Sequence, residues 1–173
     1  MKDNKITLPV RYIVAVGLTL VALESHAVEL KEYWYKSEPK GTWTEPSYIA
    51  ITLVHDREKV CGVLSSSLMG TNRIDRSLLV GRVLPGNKYK VMYASSYYAE
   101  QQEVAIATLE LNGTKLRWSP GEKVLRMSWF WDETLLNRVK KPYDYGLSPE
   151  LVARCQKLND MPVITAKNLY LDP

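Results

Sequence analysis

Several scarcities limit what this chain can be. Histidine occurs only at His26 and His55, cysteine only at Cys61 and Cys155, and one phenylalanine stands against eleven tyrosines and five tryptophans. No apolar run reaches the roughly 20 residues that a helix needs to cross the hydrocarbon core of a bilayer, so no integral membrane segment is expected. A structural zinc centre needs four ligands, usually in closely spaced pairs, and this supply falls short of it. No basic run exceeds two residues (Lys140-Lys141), and the formal net charge is only +4 with the signs well mixed. Nucleic-acid binders concentrate Lys and Arg on one face, so nucleic acid is not an expected partner. Phosphate-binding glycine loops, metal clusters and cofactor motifs are missing too, and the expectation is no cofactor and no metal.

What is present begins with an export signal. Lys2, Lys5 and Arg11 form a basic head, residues 12–23 (YIVAVGLTLVAL) are uncharged, and Ser25-His26-Ala27 puts small residues where a signal peptidase reads. The predicted organisation is therefore a cleaved segment, 1–27, and one exported β-rich domain, 28–173, placed in the periplasm or secreted. With no cysteine beside the cleavage point, a lipid anchor is not expected. The remaining 146 residues carry a net charge of +3 and suffice for one buried core.

In an oxidising compartment, Cys61 and Cys155 are expected to pair, with two buried free thiols as the rival reading. Closing a loop of about 95 residues stabilises by roughly 4–5 kcal/mol in the chain-entropy model.

The middle of the chain reads as strands and tight turns. Residues 48–54 (YIAITLV) are apolar and largely β-branched, and His55-Asp56-Arg57-Glu58 turns the chain into a second strand at 60–68. A third strand spans 77–84, Pro85-Gly86 makes a turn, and a fourth spans 89–96 with Tyr89, Val91 and Tyr93 on one face. Asn112-Gly113 predicts a two-residue type I′ hairpin. In that register Leu111 faces Thr114, Glu110 faces Lys115 and Leu109 faces Leu116, which puts Leu109, Leu111, Ala107, Leu116 and Trp118 on one face. Val104 and Ile106 fall in the opposite parity, which predicts a bulge near Ala107 or burial of both faces.

Residues 124–131 (VLRMSWFW) read as a further strand, and Asp132 as the cap of a short helix through 139. Ser148-Pro149-Glu150 starts a helix to about Leu158, with Cys155 on the face of Leu151. Residues 161–165 predict a terminal strand. The fold class is mainly β: an antiparallel meander of six or seven strands closing into a small barrel or curled sheet, with a C-terminal helix, and α+β as the alternative. Gly41-Thr42-Trp43, ahead of the first predicted strand, resembles the Gly-x-Trp of lipocalins, which also tend to carry a late helix; the likeness extends to those three residues and the architecture.

Catalytic readings are thin. After the leader, His55 is the sole candidate base for a Ser-His-acid hydrolase, and Ser65-Ser66-Ser67 lack the Gly-x-Ser-x-Gly setting, so they read as strand serines. Glu100 with Glu103, or Asp132 with Glu133, are carboxylate pairs of the kind glycoside cleavage uses, but seventeen acids after the leader make some pair inevitable. Aromatics say more. Tyr and Trp suit places that are apolar on one side and wet on the other. Tyr97, Tyr98, Tyr143 and Tyr145 lie in predicted loops. Trp129 and Trp131, at the end of the strand read at 124–131, join them as binding candidates, with alternation sending either that pair or Phe130 inward. Such side chains give large contact area at low conformational cost. The expectation is a non-enzymatic periplasmic binding protein that engages another periplasmic or incoming protein, as an inhibitor or immunity protein does. The alternative is a β-barrel holding a small apolar or aromatic ligand, and the third reading is a hydrolase.

Overall fold

The computed structural model describes residues 31–38, 47–67, 74–94, 104–121, 133–143 and 146–171. Eight strands follow one another: β1 (Glu32–Ser37), β2 (Tyr48–His55), β3 (Lys59–Ser67), β4 (Ile74–Leu84), β5 (Lys88–Tyr93), β6 (Ala105–Asn112), β7 (Lys115–Pro120) and β8 (Thr134–Val139). Two helices come after them, α1 (Pro149–Asn159) and α2 (Ala166–Leu169). Each strand pairs antiparallel with the next, and β8 pairs back onto β1, so the sheet closes into a barrel. The expected mainly-β class, barrel closure and C-terminal helix are all present. Closure leaves no unpaired edge, the usual aggregation hazard of a sheet.

Side-chain alternation fills the barrel. Ile51, Leu64, Leu79, Val91, Leu109 and Trp118 point inward and are essentially sealed from solvent, and each such burial stabilises by roughly 1.5–3 kcal/mol. Strong coiling brings strands very close at Gly81, where a Cβ would sit 2.0 Å from the carbonyl oxygen of Lys90. Only glycine fits there, as at the tight bends of small barrels.

A second apolar layer lies outside the barrel. Val54, Cys61, Val63, Leu78 and Val80 face outward from β2, β3 and β4, and Val152, Cys155 and Leu158 of α1 with Ala166 and Leu169 of α2 cover them. Ser148 caps α1 as expected, its Oγ accepting from the Leu151 backbone N–H at 3.3 Å. Cys61 and Cys155 stand at disulfide distance, with Cα atoms 5.8 Å apart. The partner strand is β3, because a strand over residues 32–37 precedes those read from the sequence.

Four local expectations are corrected. Residues 134–139 form β8 rather than a helix, because pairing with both β7 and β1 satisfies their backbone and buries Thr134 and Leu136. In the β6–β7 hairpin Asn112 pairs with Lys115, Leu111 with Leu116 and Leu109 with Trp118, a shift of two from the expected register. Gly113 takes φ +59° while Asn112 stays in the strand, so the positive dihedral sits at the first central position, as in a type II′ turn. A shift of two preserves the faces: Ala107, Leu109, Leu116 and Trp118 are buried as expected. The β5–β6 and β6–β7 ladders run without a bulge, and Ile106 faces outward, 45% exposed. Residues 161–165 form no strand; α2 follows them, and Tyr170 makes a single bridge to Ser77. Residues 122–132, and with them the strand expected at 124–131, lie outside the described residues, as do Gly41, Thr42 and Trp43.

Candidate functional site

Of the six aromatic candidates, Tyr143 is within the described residues; Tyr97, Tyr98, Trp129, Trp131 and Tyr145 lie outside them. Tyr143 follows β8, where the chain leaves the barrel and passes over its outer wall toward α1. Its ring stacks on Tyr35 of β1 at 4.2 Å between centroids and lies 4.9 Å from Tyr48 of β2. Tyr35 and Tyr48 are themselves 6.3 Å apart. Tyr48 is buried, and its hydroxyl lies 3.3 Å from Ser65 Oγ on β3. Tyr143, by contrast, is 53% exposed. The three rings thus form a platform anchored in the sheet with one face open to solvent. Each ring pair contributes about 0.5–1.5 kcal/mol beyond burial, which fixes the platform's geometry before anything docks.

A second constellation sits where β1 and β8 close the barrel, and the sequence reading missed it. Glu32 and Trp34 alternate inward from β1. Arg138 on β8 donates from Nη2 to Glu32 Oε1 at 3.2 Å, and its guanidinium carbon lies 5.7 Å from the Trp34 ring centroid. Glu32 Oε2 and Trp34 Nε1 are buried without a hydrogen-bond partner among the described residues. Tyr89 lies near this carboxylate; burial, then the charge of Glu32, raises its phenol above the ordinary value. At the other end of the lumen, Tyr93 packs edge-on against Trp118 at 5.2 Å, and burial pushes its phenol up to about 12.

The geometry does not assemble a hydrolase from the candidates within the described residues. His55 is exposed at the end of β2, its Nδ1 3.3 Å from the Asp56 carbonyl oxygen. The Asp56 carboxylate orients the turn instead, accepting from the backbone N–H groups of Glu58 at 2.8 Å and Lys59 at 2.7 Å. Those bonds, that of Lys59 foremost, hold its carboxyl below the usual value. His55 pairs with Val60, five residues along β3 from Ser65, and strand rise makes that about 17 Å. Ser65, Ser66 and Ser67 are all buried. Glu133 forms an ion pair with Arg117, whereas Glu100, Glu103 and Asp132 lie outside the described residues. Among the described residues no three His, Cys, Asp or Glu side chains gather as metal ligands, and no helix is long and apolar enough to cross a membrane.

These features define a class: a closed eight-stranded up-and-down barrel with a helix docked on one wall and an aromatic platform on another. No family model, curated protein or solved structure matches the chain.

Proposed function

We propose that the protein is an exported, non-enzymatic binding module that engages another protein, of the inhibitor or immunity type, with Tyr143 as an anchor. The observation that carries this reading is the contrast between a lumen filled by its own side chains and the half-exposed Tyr143 ring, held in place by Tyr35 and Tyr48. Hot spots of protein interfaces are enriched in such rigid aromatics, and a preformed platform loses little entropy on docking. The packed interior counts against the small-ligand alternative, since small barrels filled by side chains leave no room for a guest. Tyr97, Tyr98, Trp129, Trp131 and Tyr145 are proposed from the sequence as further contacts, and residues 1–27 as the signal that directs the chain to the periplasm.

The test is capture from a periplasmic extract by the immobilised mature chain, with captured proteins identified and re-bound in purified form. Alanine at Tyr97, Tyr98, Tyr143 and Tyr145 is expected to weaken re-binding at least tenfold, about 1.4 kcal/mol, and Tyr143→Phe is expected to retain most of it. Undiminished binding by the quadruple variant refutes the assigned surface.

A further inference from the structure

We propose that the outer wall over β3, β4 and β5 carries a docking site for a carboxylate-rich segment of a protein partner, with Arg82 and Lys90 as its cationic contacts. This rests on the protein-binding reading and names the chemistry of the partner.

Register places the charges. Lys59 pairs with Arg82, and Arg82 pairs with Lys90, so three cationic residues stand in one row across three adjacent strands. Parity sends all three outward, because Val60, Val83 and Val91 beside them pack on the lumen side. Arg82 and Lys90 are both exposed. Neighbouring strands lie about 4.8 Å apart, and like charges directly opposite one another oppose strand pairing. A wall built for stability alone would put a carboxylate in this row.

Three carboxylates of the surface are already engaged, and Glu58, beside Lys59 in the β2–β3 turn, pairs with none of the described cations. Lys59 is held by Asp160 at 2.6 Å, just past the end of α1. Lys88 pairs with Glu110 at 3.6 Å, and Arg117 with Glu133. Arg82 and Lys90 are left facing each other with no ion pair among the described residues. The recurring chemistry of the wall is Lys or Arg on a carboxylate, three times over, and an acidic segment laid across β4 and β5 extends it to the two uncompensated cations. Beyond the positions that α1 and α2 cover, the exposed ends of β4 and β5 suit an extended chain, which contacts both strands at once. A free phosphate is better held by donors converging from several sides. The net charge of residues 28–173, +3, favours approach of an acidic partner.

The experiment is an NMR titration of the isotope-labelled mature protein at low ionic strength with a hexaglutamate peptide. Hexaglutamine, inorganic phosphate and phosphatidylglycerol vesicles are titrated in parallel. Saturable shifts centred on Arg82 and Lys90 are expected with hexaglutamate, with little response to the other three. The Arg82→Gln/Lys90→Gln variant is expected to bind hexaglutamate about tenfold more weakly, and raised salt to weaken the wild type similarly. Its thermal midpoint should match or exceed that of the wild type, which shows it folded. Absent shifts, equal binding by the variant, an equal response to hexaglutamine, or a response at these residues to phosphate or vesicles alone each overturns the proposal. The titration needs no natural partner, so its failure is distinct from a failure of the Tyr143 capture.

Discussion

The two walls of the barrel follow different rules. On the wall of β2 and β3, burial runs unbroken from Tyr48 to Val54 and from Val60 to Ser67, inward and outward positions alike. On the wall of β5 and β7 burial alternates, with Tyr89, Val91, Leu116 and Trp118 sealed and Lys90, Lys115 and Arg117 in water. The difference comes from what lies outside. The first wall is the floor of a second core under α1 and α2, while the other meets solvent. A one-layer barrel has here become two layers on one side, while the strands outside that cover carry their charges in water.

If that account holds, the covered wall depends on its clamp. Replacing Cys61 and Cys155 by serine should lower the unfolding free energy by about 4–5 kcal/mol in the chain-entropy model, the largest effect expected here. Denaturant unfolding of the oxidised wild type against the double variant measures it. A loss under about 1 kcal/mol would mean that α1 holds the wall without the link. Next comes a matched pair of outward-facing aliphatics. Leu78 on β4 is fully buried beneath the helices, and Ile106 on β6 is 45% exposed. Leu78→Ala should cost about 2–5 kcal/mol, and Ile106→Ala under about 1 kcal/mol, both by the same unfolding titration. Similar costs would erase the distinction between the walls.

The same contrast explains what could be read in advance. The covered strand at 48–54 is a continuous apolar run, and the bare strands alternate with period two, so both kinds were legible. β1 was not. Its inward positions, Glu32, Trp34 and Lys36, mix charge with an aromatic, while its outward positions hold Tyr33 and Tyr35, which inverts the pattern that marks a strand. The pairing of Arg138 with Glu32, and of Lys36 Nζ with Thr134 Oγ1 at 2.7 Å, makes sense of those residues only once β8 returns to β1, a contact spanning some hundred residues. β8 was misread for a related reason: its hexamer, TLLNRV, also suits a short helix, and closure of the barrel decides against it. At the hairpin, local sequence offered two residues that tolerate positive φ, and the ladder used only Gly113. The Tyr143 platform was legible as a residue type in a loop. Its partners Tyr35 and Tyr48 were not, since nothing local announces that a segment after the last strand folds back over the first two.

The smallest expected effect is the most telling about the bare wall, because its sign matters more than its size. Exposed ion pairs contribute about 0.2–1 kcal/mol, so Lys88→Gln, which removes the partner of Glu110, should lower stability by a few tenths of a kcal/mol. Lys90→Gln removes a cation two residues away on the same face of the same strand, but one whose cross-strand neighbour is Arg82. Relief of like-charge apposition should raise stability by a comparable few tenths. Differential scanning calorimetry at low salt resolves the two as shifts of opposite direction, which should shrink together as salt screens the wall. A wall shaped only for solubility would give no such split, since every surface cation would be interchangeable. If Lys90→Gln stabilises, the native lysine is held there against the stability of the fold, and the acidic partner it is proposed to meet supplies a reason.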